Sequence, residues 1–205
     1  MSRKIYIDAG HGFTNSPAGG SLMDKGSGND TAYNDLTGKY ESDLNLEIAL
    51  KLKDVLISKG YEVIMIRESE VAEHLDPSMR VNRINESEFD IFISIHANAF
   101  DREDVCGARV YYSSLNSNAL KCQRYASAMA AALNSVEGAS QKNVTVENHD
   151  DIAVLKGVKK PTVLVETCFL TSPTDAELAS SEEWIEKMAL GMSIGIENYL
   201  AQLAV

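Results

Sequence analysis

Short apolar runs alternate along this chain with longer stretches whose apolar residues recur every three to four positions. Lys4–Ile7, Tyr61–Ile66 (YEVIMI), Phe89–Ile95 (FDIFISI), Arg109–Tyr112, Ile152–Leu155 and Thr162–Val165 read as strands. The richest of them are almost continuously apolar, as strands covered by helices on both faces are. From Ser42 onward, Leu44, Ile48, Leu52 and Val55 share one helical face, and Gly60 ends that helix as a natural C′ residue. Pro77–Glu86 predicts a shorter, more polar helix, and Asn118–Leu133 an Ala-rich one. In the last helix Trp184, Met188, Met192, Ile196 and Leu200 repeat every four residues, behind an S-x-x-E capping box at Ser180 and Glu183. This alternation predicts an α/β fold: a single domain over 1–205, with a twisted, mostly parallel or mixed sheet of about six strands and helices on both faces. Gly10–Tyr40 departs from the pattern. It carries seven of the 13 glycines and reads as one long loop, of a length uncommon in compact domains unless functional or disordered.

Composition narrows the classes. Over 205 residues, 44% are apolar and 24% charged, the balance of an ordinary soluble domain rather than a disordered or fibrous chain. With 19 Lys+Arg against 30 Asp+Glu the formal charge is −11, which opposes binding to nucleic acid or to an anionic membrane surface. Cys106, Cys122 and Cys168 are odd in number and lack a CxxC pair, so buried reduced thiols are expected rather than a disulfide framework. After Met1–Lys4 the apolar run Ile5–Ile7 is broken at once by Asp8, too soon for a signal-peptide core. No stretch approaches the roughly 20 apolar residues of a membrane span, so no membrane insertion is expected.

Four residues sit at strand ends or helix starts, where α/β sheets place their chemistry. His11 follows the first strand between Gly10 and Gly12, Glu41 opens the first long helix, His96 ends the FDIFISI strand, and Glu166 closes the Thr162–Val165 strand. Two histidines and a carboxylate suffice as a catalytic zinc site with one open position. A further carboxylate can then take a water's proton and deliver it to a leaving amine, a role open to Glu166. Taken singly, each has an ordinary reading: a satisfied strand-end histidine, or a carboxylate at a helix start. Asp8 is a candidate for orienting a ligand and Asn98 for touching substrate, while Arg67 and Arg80 read as ion-pair partners. His74 and His149 read as surface residues.

The strings IYIDAGHG, ESDLNLEIALKL, GYEVIMIRESE, DIFISIHANAF and VLVETCFLTSPTDAELAS occur in that order. Together they resemble the zinc-dependent N-acetylmuramoyl-L-alanine amidases of the amidase_3 family, over nearly the whole chain. The resemblance implies one Zn²⁺ held by His11, Glu41 and His96, with Glu166 catalytic. It implies peptidoglycan as substrate, cut at the amide between the lactyl group of N-acetylmuramic acid and L-alanine. Glu166 would accept the attacking water's proton and pass it to the departing nitrogen. Two departures stand out. The segment between His11 and Glu41 is longer than usual, adds the carboxylates of Asp24, Asp30 and Asp35, and can overhang the groove. Cys168 stands where the family commonly has glycine, with packing as its expected role. No inhibitory helix is expected between Asn98 and Glu166, nor a wall-binding module. A zinc peptidase cutting within the stem peptide and a non-catalytic wall-binding module are the alternatives. Synthesis in the cytoplasm and action at the bacterial wall are expected, by lysin-type release or from a chain trimmed of its export signal.

Overall fold

In the computed structural model, residues 2–15, 21–24, 33–34, 37–69 and 77–203 are described. Their centre is a six-stranded sheet in the order β6-β1-β7-β10-β8-β9. The strands are β1 (Lys4–Ala9), β6 (Glu62–Met65), β7 (Ile91–Asn98), β8 (Arg109–Tyr112), β9 (Thr145–Asn148) and β10 (Thr162–Phe169). β6, β1, β7 and β10 run parallel, β8 pairs antiparallel with β10, and β9 runs parallel to β8. The carboxyl ends of β1, β7 and β10 therefore share one edge.

Alternation divides the sheet into two faces. Ile5, Ile7, Ile91, Ile93, Ile95, Val163 and Val165 enter the larger core, beneath α1 (Glu41–Ser58), α3 (Ala119–Ser135) and α6 (Glu182–Gln202). Helices α3 and α6 cross closely enough that a Cβ on Gly195 would lie 2.8 Å from the Met129 Cα. The opposite face presents Tyr6, Phe92, Tyr111 and Leu164 to a smaller core, closed by α2 (Pro77–Asn85) and α4 (Ala153–Gly157). Polar residues Asp8, Ser94, His96 and Glu166 continue that face towards the carboxyl ends, where the helical cover stops. Among the described residues, no helix is long and apolar enough to cross a membrane.

The structure corrects several element assignments. Ile152–Leu155 is not a strand: Ile152 is extended and Ala153–Gly157 is helix α4. Four apolar residues are too few to separate the two states by periodicity. Here Asn116 Nδ2 donates to the carbonyls of Leu155 (2.7 Å) and Val158 (2.9 Å), which supplies the helix end with partners. The sixth strand is β9, whose sequence TVEN has one aliphatic residue and a mostly exposed edge. A helix absent from the sequence reading, α5 (Pro173–Ala179), opens with Pro at its start. Its end uses Ser180, whose Oγ donates to Glu177 O, so the cap of α6 is Ser181, accepting from Trp184 N. Within Gly10–Tyr40 the described parts are two small antiparallel ladders: β2 (Gly12–Asn15) with β3 (Ser21–Asp24), and β4 (Tyr33–Asn34) with β5 (Lys39–Tyr40). Asp30, Asp35 and His74 lie outside the described residues, as does the Asp24 side chain.

Candidate metal centre and active site

At the edge shared by β1 and β7, the chain leaves β1 through Ala9 and Gly10 into His11. Gly10 N donates to Ile95 O at 2.9 Å, seating this turn against β7. A Cβ on Gly10 would fall 2.3 Å from the His96 ring, so glycine is what lets that ring lie against the backbone. His11 then adopts φ 58°. Helix α1 begins beside it. Asp43, in its first turn, accepts from Tyr40 N at 3.1 Å, which fixes the helix start and carries Glu41 inward. Glu41 is 2% exposed.

These three residues converge. Glu41 Oε1 lies 3.1 Å from His11 Nε2 and 3.1 Å from His96 Nδ1. The two rings are near-perpendicular, with centroids 4.7 Å apart. One ligand atom from each residue falls within 4.8 Å of the others, the only such group of three or more His, Cys, Asp or Glu among the described residues. Ala97 N (3.1 Å) and Asn45 Nδ2 (3.3 Å) also donate to Glu41 Oε1. Burial opposes the charge on Glu41, but hydrogen bonds and charge from His11 and His96 prevail and hold its carboxyl well below the usual range. A buried carboxylate between two imidazoles is a donor set suited to a divalent cation of the zinc type.

Glu166 is paired in register with His96 on the neighbouring strand. The β10 ladder is irregular between Glu166 and Phe169, and such irregularities re-aim side chains beside active sites. Asp175 of α5 holds the irregular segment, accepting from Phe169 N (2.8 Å) and from Gly107 N (2.7 Å). Thr167 Oγ1 donates to His96 O at 2.9 Å, which ties the two strand ends together. Glu166 Oε2 is buried with no hydrogen-bond partner. Burial, and then the nearby Glu41 charge, push the Glu166 carboxyl up to about 8, with His11 acting the other way. A cation at the triad would draw it back down, since it favours the charged carboxylate.

The triad and Glu166 open into one cavity of about 260 Å³. Its apolar lining comes from Pro77, Ile152, Ala153, Val154 and Leu164. The four residues singled out from the sequence therefore meet in one place. Other expectations fare differently. Asp8 is buried and pairs with Arg80 (2.5 Å), as an ion-pair role for Arg80 required. Arg67 donates to backbone carbonyls, among them those of Ala9, Gly10 and Ser42. Asn98 Nδ2 donates to the Tyr111 hydroxyl at 3.0 Å. The His149 ring is half-buried and packs on Tyr111 at 4.0 Å between centroids. Cys168 packs in the larger core, where burial, followed by Asp175, keeps its thiol protonated and unreactive. Asn45 was missed. Its only sequence signal is its place four residues after Glu41, one helical turn along the same face.

Comparison with known proteins agrees with this geometry. The family model described as Amidase_3, N-acetylmuramoyl-L-alanine amidase, matches residues 5–198. The germination-specific N-acetylmuramoyl-L-alanine amidase of Bacillus subtilis is 29% identical over 97% of this chain and 80% of its own length. The amidase LytC of the same organism is also 29% identical over 97% of this chain, but that is only 36% of LytC. Among solved structures, the CwlD amidase of Clostridioides difficile, in complex with the GerS lipoprotein, superposes with a TM-score of 0.79 at 27% identity. That match covers 98% of this chain and 100% of CwlD. Sequence, fold and the contents of the cavity coincide, and the chain belongs to the N-acetylmuramoyl-L-alanine amidase family.

Proposed function

We propose that this amidase hydrolyses the amide joining the lactyl group of N-acetylmuramic acid to L-alanine in peptidoglycan, with zinc at His11, Glu41 and His96 and with Glu166 as the proton-transfer residue. The observation that carries the reading is the meeting of a His–Glu–His donor set with a carboxylate whose Oε2 is buried and unpartnered, in one cavity of a chain of this family. When bound, zinc supplies Lewis acidity, making water acidic enough to attack near neutral pH and polarising the scissile carbonyl.

The protein's own groups do the rest. His11 Nε2 and His96 Nδ1 each lie 3.1 Å from Glu41 Oε1, and all three residues line the cavity that would take the substrate. Ala97 N and Asn45 Nδ2 hold the Glu41 carboxylate in place. Glu166, with its unpartnered Oε2, takes the proton of the attacking water and then gives it to the departing alanine nitrogen. Burial raises the proton affinity of Glu166 while a cation at the triad would lower it, so that the carboxyl is ionised when water attacks yet able to hold the proton it takes. The apolar lining from Ile152–Val154 and Leu164 excludes water around the scissile group. Action at the bacterial cell wall follows from the substrate. A single catalytic domain without a wall-binding module over 1–205 is part of the same proposal.

The test joins elemental analysis to clearing of purified cell walls. About one zinc per chain is expected, with clearing abolished by chelator, restored by zinc, and accompanied by new lactyl carboxylates on the glycan. Fragments cut within the stem peptide would replace the amidase reading by a peptidase one. Zinc binding without hydrolysis would favour a wall-binding role, and clearing indifferent to chelator would overturn the mechanism.

A further inference from the structure

His11 is the one non-glycine residue at positive φ among the described residues. An L-residue held there is strained and persists only where its surroundings over-determine it. Two guanidinium groups do so. Arg67 donates to Ala9 O (3.0 Å), Gly10 O (2.9 Å) and Ser42 O (2.7 Å). Arg80, in the first turn of α2, donates through Nη2 to His11 O at 3.0 Å and through Nη1 to Asp8 Oδ1. Asp8 is 1% exposed, and its other oxygen accepts from Ser94 Oγ at 2.8 Å. Three consecutive carbonyls, those of Ala9, Gly10 and His11, are thus each held by an arginine. The chain cannot relax towards a right-handed turn at His11 without breaking the Arg80 bond. Such a relaxation would swing the imidazole away from Glu41.

We propose that Arg80, set by the buried pair Asp8 and Ser94, is a positioning residue that holds His11 in its strained conformation and so presets the metal triad. Its effect runs through the His11 backbone rather than the ring, which is a different task from neutralising Asp8. This rests on the reading above that zinc occupies the triad. A guanidinium can serve Asp8 and His11 O together because its two outer nitrogens form a rigid fork. A lysine keeps the charge but lacks the fork.

The experiment measures the zinc dissociation constant by competition with a chromophoric chelator for the unsubstituted chain, Arg80→Lys, Arg80→Gln and Asp8→Asn. The melting temperature of each metal-free form, and KM and kcat at saturating zinc, are measured alongside. Arg80→Gln and Asp8→Asn are expected to weaken zinc about tenfold or more. Arg80→Lys is expected to keep a melting temperature close to that of the unsubstituted chain while still losing zinc affinity. This separates positioning from folding even if the other two variants fold poorly. At saturating zinc, kcat should fall with KM little changed. Zinc affinity within twofold of the unsubstituted chain's in Arg80→Lys would overturn the proposal. A raised KM would then assign Arg80 to substrate contact, and a lowered melting temperature to the fold alone. An unsubstituted chain that binds no zinc would overturn the proposed function, and this inference with it.

Discussion

At the residue scale the two glutamates of the cavity differ because their neighbours differ. Glu41 faces two imidazoles and two N–H donors, so it stays ionised, whereas Glu166 has an oxygen with no partner and a like charge nearby. Glu166→Gln is nearly isosteric and should leave zinc content unchanged while lowering kcat about 10²- to 10⁴-fold, as loss of a general base does. Metal analysis and wall clearing check both halves. The same substitution has a stability signature in the metal-free protein. Folding raises the Glu166 carboxyl from about 4.5 to about 8, so the folded state keeps a proton that the unfolded chain releases. Stability therefore falls as pH climbs through that window and is lowest above pH 8. Glu166→Gln should then be more stable than the unsubstituted chain, on the order of 5 kcal/mol at pH 9 and by almost nothing at pH 4. Thermal melts with chelator at the two pH values read this, and added zinc should shrink the difference. His11, Glu41, His96 and Glu166 were legible in the sequence because each lies in a recognisable string at the end of an element. The supporting bonds from Asn45 and from Arg80 to His11 were not, because they depend on side-chain directions between segments far apart in the chain.

Elements with strong periodicity emerge as expected: α1, α3 and α6, and the strands β1, β7, β8 and β10, fall within a few residues of their predicted spans. The misreadings concern short segments whose state is decided by tertiary contact. Ile152–Leu155 became α4 because the Asn116 side chain satisfies the carbonyls of its last turn. TVEN became β9 because β8 offered an unpaired edge, and nothing in those four residues announces it. The α3–α6 crossing gives a prediction at this scale. Gly195→Ala places a methyl 2.8 Å from the Met129 Cα, which is backbone and cannot swing aside. A loss of about 1–3 kcal/mol is expected, read in denaturant melts at constant zinc. Tyr199→Phe, on the same helix, should behave oppositely. Its hydroxyl is buried without a hydrogen-bond partner, stacked face to face on Tyr125 at 4.6 Å. Removing that hydroxyl should leave stability unchanged or raise it by up to about 1 kcal/mol.

For the whole molecule, the charge of −11 sets a constraint on how a substrate is approached. Cell walls that carry anionic polymers repel such a protein over a Debye length, about 30 Å at 10 mM salt and about 8 Å at 150 mM. Clearing of such walls should therefore accelerate as salt is raised across that range, and walls stripped of the polymers should lose the dependence. A rate that instead falls with salt would place an attractive basic surface on the protein. The α/β class was readable from the alternation of elements. The antiparallel entry of β8, which makes the sheet mixed, was open in the sequence because loop composition does not state strand direction.

The centre is gathered from four separated stretches of chain, one at the end of β1, one opening α1, and the others closing β7 and β10. No contiguous fragment short of that span contains the whole constellation. During synthesis from the N-terminus His11, Glu41 and His96 are made before Glu166, so a product truncated ahead of β10 lacks both Glu166 and the strand that lies between β7 and β8. Wall-cutting capacity thus arrives late in translation, only once β10 has slotted between β7 and β8. Conversely, a single proteolytic cut that lets β10 leave the sheet would silence the enzyme outright.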